Sequence, residues 1–335
     1  MTEEQILASL QSLARANGVA GGVEVTGLRR VRGGNSSEIW ALDGRWDDGS
    51  GAQTHPLILR SGADNEFTFH GRGLEHAVLK ALEPTPVETP AIHWFDPDGT
   101  HFDRQTMIME RRPGIAERGV LTDRNTLGLD LTQRVTLGQS MIDQLAALHR
   151  IAPPPGDFGG DGSAEQRLRA HDDAIAALEL EPVVELHIAS WWLWRHLPPP
   201  PTRRTIVHGD YRPANMLVQD GRISAILDWE FVGVGDPLED LGWYLSPYYA
   251  RDHLIPGAFT RDDVIARYEA ASDNAVDRAA VTFWGVFTIY KLAYMTMAAL
   301  RWMTEGDASR MTVTARFILQ PLLEAIAAAD KEAAA

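Results

Sequence analysis

Cysteine is absent from this chain. That excludes disulfides, a thiolate nucleophile and any cysteine-ligated metal, and nothing calls for an oxidising compartment. Basic residues are also scarce, with 31 lysines and arginines against 46 aspartates and glutamates and a formal charge of -15. Such a balance favours solubility and works against binding nucleic acid through its phosphates, so no nucleic-acid partner is expected. The opening MTEEQILASL lacks the basic-then-apolar layout of a secretory signal, which makes a cytoplasmic location the expectation. One stretch, residues 281–300, is apolar enough to suggest a membrane span. Lys291 near its middle argues instead for a buried helix, and no membrane partner is expected.

What remains is ordinary globular material, 44% hydrophobic and 23% charged, and 335 residues predict about two packed lobes. Thr2 with Gln5 reads as a capping box before Ile6, Leu10, Leu13 and Ala14 at helical spacing. Short β-type runs follow at 23–28, 38–42, 57–60 and 106–110, with one helix interposed at 66–82. After Pro113 and Gly114 the pattern turns helical, at 131–150, 165–180 and 183–197, and only 205–231 returns to strands. The expected architecture is α+β and bilobal. A small β-rich N-terminal lobe, residues 1–111, and a larger, mainly helical C-terminal lobe, residues 112–335, are expected.

The chemistry concentrates in His208-Gly209-Asp210-Tyr211-Arg212-Pro213-Ala214-Asn215 and, thirteen residues on, Asp228-Trp229-Glu230. Between them Asp220-Gly221 is a strong two-residue hairpin turn. If Gln219 pairs with Arg222, Asn215 falls opposite Ile226, with Asp228 its diagonal neighbour about 7 Å away on the same face. An amide and a carboxylate converging there suit magnesium, a hard cation that takes its remaining ligands from water and nucleotide phosphates. Alternation returns Glu230 to that face, where it either ligates a second ion or lines the site. Asp210, five residues before Asn215, stands where a catalytic base would accept a proton from an attacking hydroxyl.

The pattern His-x-Asp-x-x-x-x-Asn, here HGDYRPAN, followed by DWE within ILDWEFVGVGDPLEDLGW, resembles the aminoglycoside phosphotransferase and choline kinase group of the protein-kinase-like fold. The resemblance runs from about Leu28 to Trp243. It implies a kinase using ATP and Mg2+, with Asp210 as base, Asn215 and Asp228 on the metal, and Arg212 facing the transferred phosphate. Gly33, Gly34, Asn35 and Ser36 lie between two β-type runs, where backbone N–H groups can approach phosphates. The family's phosphate-binding lysine is expected in strand 57–60, where this chain has Arg60. Glu75 matches that cation's partner carboxylate, the plain alternative being a solvated helix residue, and Glu110 falls in the run expected to meet adenine through its backbone.

Other conspicuous residues have plain readings. His208 orients the catalytic loop, His149 sits at a helix carboxyl end, and Asp236 and Asp240 favour a helix start. Trp191, Trp192 and Trp194 belong to an apolar helix core rather than a stacking platform. The acceptor is a small-molecule hydroxyl compound, and diffuse acidity without a dense carboxylate cluster ranks a metabolic acceptor above an aminoglycoside. Two other classes stay open: a pseudokinase or nucleotide-binding regulator, and a metal-dependent hydrolase.

Overall fold

The computed structural model describes residues 1–31, 38–47, 49, 51–62, 72–155, 160–178, 183–272, 275–304 and 314–334. The chain divides into two compact units, one of residues Met1–Ile115 with Met216–Val232, the other of Ala116–Asn215 with Gly233–Ala335.

The first unit opens with α1 (Glu3–Ala16), whose capping box is formed as expected: Gln5 N donates to Thr2 Oγ1 and Thr2 N to Gln5 Oε1. Strands β1 (Glu24–Val31), β2 (Glu38–Asp47) and β3 (Ala52–Ser61) precede α2 (Arg72–Leu82), and β4 (Ile92–Asp96) and β5 (Thr106–Glu110) complete an antiparallel sheet of order β1-β2-β3-β5-β4. The helical periodicity of α1 is used in full, because Ile6, Leu10, Leu13 and Ala14 all bury against Trp40, Leu42, Trp46, Leu57, Trp94 and Ile108. β4, Ile92-His93-Trp94-Phe95-Asp96, is a β-type run that the expected strands did not include. Ile92, Trp94 and Asp96 alternate inward, and the strand pairs with β5.

A short strand, β6 (Ile115–Ala116), leads to the second unit's α3 (Leu131–Arg150), α4 (Ala164–Ala177), α5 (Val184–Arg195) and β7 (Thr205–Val207). The chain then supplies the hairpin β8 (Met216–Gln219) and β9 (Arg222–Ile226) to the first unit. Asp220 and Gly221 both have positive φ, 51° and 73°, as a tight D-G hairpin turn requires. Gln219 pairs with Arg222 as expected, but the register then slips: Val218 faces Ile223, Leu217 faces Ala225, and Met216 faces Ile226. Ser224 is the extra residue of a bulge, its hydroxyl turned to the Pro113 carbonyl. The expected pairing of Asn215 with Ile226 is therefore wrong by one residue, and Asn215 instead closes a 3-10 turn, Pro213–Asn215.

The second unit continues with β10 (Gly233–Gly235), paired with β7, then α6 (Leu238–Tyr244), α7 (Ala250–His253), α8 (Arg261–Ser272), α9 (Arg278–Thr304) and α10 (Thr314–Ala333). Its core joins Leu168, Leu186, Trp192, Phe283, Trp284, Phe287 and Leu322. The apolar stretch 281–300 lies in α9, and no helix among the described residues is long and apolar enough to cross a membrane. Where α6 meets α9 the backbones nearly touch. A Cβ on Gly242 would lie 2.3 Å from Trp284 Cβ and 3.0 Å from Gly285 N.

Candidate active site

In the second unit the loop after β7 places Asp210. Its side chain is 7% exposed; the carboxylate accepts from Asn215 Nδ2 at 2.8 Å, while the Arg212 guanidinium lies 2.9 Å from its other oxygen. Asn215 Nδ2 also donates to the Asp210 carbonyl at 2.9 Å. With its nitrogen so committed, the amide presents Oδ1 on the opposite side, a neutral oxygen donor of the kind hard cations take. His208 is fully buried and its Nδ1 accepts from Asp210 N at 3.2 Å, which is the loop-orienting hydrogen bond expected of it.

Two loop-holding groups escaped the sequence reading. Asp240 does sit in the first turn of α6, as expected, but it has no exposure and its carboxylate accepts from His208 N at 2.7 Å and Gly209 N at 2.8 Å. His149 does end α3, but it is buried, 3.2 Å by Nε2 from Asp240 and 2.7 Å by Nδ1 from the Tyr268 hydroxyl. Contact with the helix end is therefore not what explains it. Burial opposes charge on Asp240, and the hydrogen bond and charge of His149 with the His208 contacts outweigh it, holding the carboxyl below its usual range. Lys291 is the second omission. Its ammonium, buried in α9, donates to the Gly209 carbonyl at 3.0 Å and stands 4.9 Å over the Trp243 ring. A single charge inside an apolar helix was the available signal, since lysine is seldom buried without a partner.

The first unit gathers a different set. Arg60 Nη1 lies 2.5 Å from Glu75 Oε1, and Nη2 lies 3.3 Å from Glu230 Oε2 and 4.0 Å from Asp228 Oδ1. Glu75 is 4% exposed, so it is a buried partner of Arg60 and not a solvated helix residue. Burial works against the Arg60 charge, but the three carboxylates more than offset it and raise the guanidinium above its ordinary value. Asp228 holds a positive φ of 66°, a conformation that a non-glycine residue adopts at a cost of about 1–2 kcal/mol. Its side chain is 41% exposed, and its carboxylate, like that of Glu230, is a hard oxygen donor. Glu110 N donates to the Ala91 carbonyl at 2.8 Å, and its side chain lines a polar pocket of about 300 Å³ with Glu83, Glu88 and Arg112. Gly33, Gly34, Asn35 and Ser36 lie outside the described residues.

A sheet-rich first unit, a helical second unit and a buried aspartate on an HGD loop define a kinase-like α+β protein. Residues 28–283 match the model of the phosphotransferase enzyme family, and the chain belongs to that family. It superposes on a candidate aminoglycoside phosphotransferase of Ralstonia eutropha JMP134 with a TM-score of 0.71 at 22% identity, over 95% of this chain and 97% of the other. A ternary complex of aminoglycoside phosphotransferase APH(4)-Ia with AMP-PNP and hygromycin B superposes with a TM-score of 0.62 at 14% identity, over 95% and 97% of the two chains. In sequence the chain is 24% identical to human acyl-CoA dehydrogenase family member 11 across 321 residues, 89% of this chain and 39% of that protein. It spans between 15% and 39% of the length of such curated relatives.

Proposed function

We propose that this chain is an ATP- and magnesium-dependent small-molecule kinase that transfers the γ-phosphate of ATP to a hydroxyl. The observation that carries this reading is the Asp210 carboxylate, buried on a loop whose polar groups are held on several sides. The acceptor O–H gives its proton to Asp210 as its oxygen bonds the γ-phosphorus, the bond from that phosphorus to the β-bridging oxygen breaks, and ADP leaves. Arg212, 2.9 Å from Asp210, is the cation proposed to face the transferred phosphate. Asn215 Oδ1, the Asp228 carboxylate and Glu230 are the oxygen donors proposed for magnesium. When bound, the ion would neutralise charge on the phosphates. Arg60, steadied by Glu75, takes the place of the family's phosphate-binding lysine. Glu110 and the glycine-rich segment with Gly33, Gly34, Asn35 and Ser36 complete the nucleotide-binding set.

The acceptor is a hydroxylated metabolite in preference to an aminoglycoside, because the helical unit's sequence carries only diffuse acidity and no dense carboxylate cluster. The acyl-CoA dehydrogenase family name of the human relative brings hydroxyacyl compounds into the screen beside sugars, choline-like alcohols and aminoglycosides. ADP release is measured over these acceptors with magnesium and ATP, with Asp210→Asn as control. Acceptor-dependent turnover that falls at least about a hundredfold in the control supports the reading. An active control would remove Asp210 as base. Nucleotide binding with no turnover on any acceptor would favour a nucleotide-binding regulator.

A further inference from the structure

We infer that Lys291 is a positioning residue for phosphoryl transfer, fixing the peptide between Gly209 and Asp210 by holding the Gly209 carbonyl. The inference rests on the kinase reading above and adds to it a residue eighty-two positions from the glycine it holds.

Gly209 has φ 79°, a conformation that favours glycine and that turns its carbonyl away from the direction an ordinary residue would give it. Its two backbone polar groups are gripped from different helices. The N–H goes to Asp240 Oδ1 on α6 at 2.8 Å, and the carbonyl takes the Lys291 ammonium of α9 at 3.0 Å. The next N–H, that of Asp210, is held by His208 Nδ1. The peptide that carries the proposed base is thus fixed at its oxygen by Lys291 and at its nitrogen by His208. A bond made by an ionised donor inside protein is about twice as strong as a neutral one, so Lys291 is a firm stop against rotation of that plane.

The ammonium is also built in. Lys291 is 7% exposed and its ammonium lies over the Trp243 ring; burial lowers its pKa, against the opposing pull of the negative charges of Glu239, Asp210 and Asp240. Burying a lysine is costly unless its partners compensate it. In the proposed reaction Lys291 acts only through the loop, and no contact with nucleotide or acceptor is assigned to it.

The test replaces Lys291 in the full chain and separates kcat from KM. Lys291→Met keeps the length and removes donor and charge. A shift of the Asp210 carboxylate of about 1 Å is enough to cost on the order of a hundredfold in rate. We expect kcat to fall about ten- to a hundredfold in folded K291M, with KM for ATP within about threefold, and K291R, which keeps a cationic donor, to recover most of the loss. Folded K291M with unchanged kcat overturns the inference. So does K291R that folds but is as slow as K291M, or a loss appearing wholly in KM for ATP. If K291M does not fold, K291R alone decides, since near-normal kcat supports the role and loss to the level of Asp210→Asn refutes it. Absence of turnover by the unaltered protein would refute the kinase reading itself, an outcome distinct from all of these.

Discussion

Removing the Arg60 guanidinium gives the sharpest test of how the first unit is held. Three carboxylates point at this cation, at 2.5, 3.3 and 4.0 Å, and the nearest, Glu75, has a side chain only 5% exposed. Arg60→Met would leave Glu75 buried without its cation, and breaking a buried pair from one side costs about 3–5 kcal/mol. Glu75→Leu alone leaves Arg60 with Glu230 and Asp228, so its cost is smaller. The double variant removes both charges of the closest pair and restores an apolar contact. Its cost should fall short of the sum of the singles by about 2 kcal/mol. Urea unfolding of the four proteins at pH 7.5, followed by tryptophan fluorescence, measures that coupling. It should survive in 0.5 M salt, because a buried pair is screened little. Additive costs, or an R60M penalty below about 1 kcal/mol, would mean that the network behaves as an exposed one and that the argument from burial is wrong.

Acid should destabilise the fold partly through His171, which burial, aided by the charge of Lys291, pushes down from 6.5 to about 3. Because the folded pKa is the lower one, the unfolded chain binds the proton first. Stability is then lost as pH falls below about 6.5, at about 1.4 kcal/mol per unit for that one proton. His171→Phe should therefore shrink the difference in unfolding free energy between pH 7 and pH 5 by about 2 kcal/mol. An unchanged difference would show that His171 is not kept neutral. At the surface, Trp191 is 62% exposed, with Arg195 4.7 Å over its ring. Trp191→Ala should cost less than about 1 kcal/mol and leave turnover unchanged, whereas a raised acceptor KM would restore the substrate-stacking role set aside above.

Local signals carried much of the fold. The 3.6-residue rhythm placed α3 at the same bounds the structure gives, and the D-G pair set its turn because positive φ at two successive residues leaves few other choices. What escaped was non-local or irregular. The bulge at Ser224 depends on a serine hydroxyl meeting the chain at Pro113, a contact that no periodicity records. Asp240 and His149 are ninety-one residues apart and look, one by one, like ordinary helix-terminal residues. Trp191, Trp192 and Trp194 were read together as core, yet the helix turns Trp191 outward while Trp192 buries at 5% exposure. Neighbours on a helix point about 100° apart, so three tryptophans in four positions cannot share one environment.

The near-contact of α6 and α9 at Gly242 acts on more than packing. Lys291 lies six residues beyond Gly285, about 9 Å further along the same helix axis. The crossing is therefore a fulcrum, and the stretch of helix beyond it is a lever arm that carries Lys291 to the Gly209 carbonyl. A methyl group at position 242 would press on α9 and swing that arm, so bulk excluded from a helix crossing becomes a constraint on where a carboxylate stands in another part of the chain.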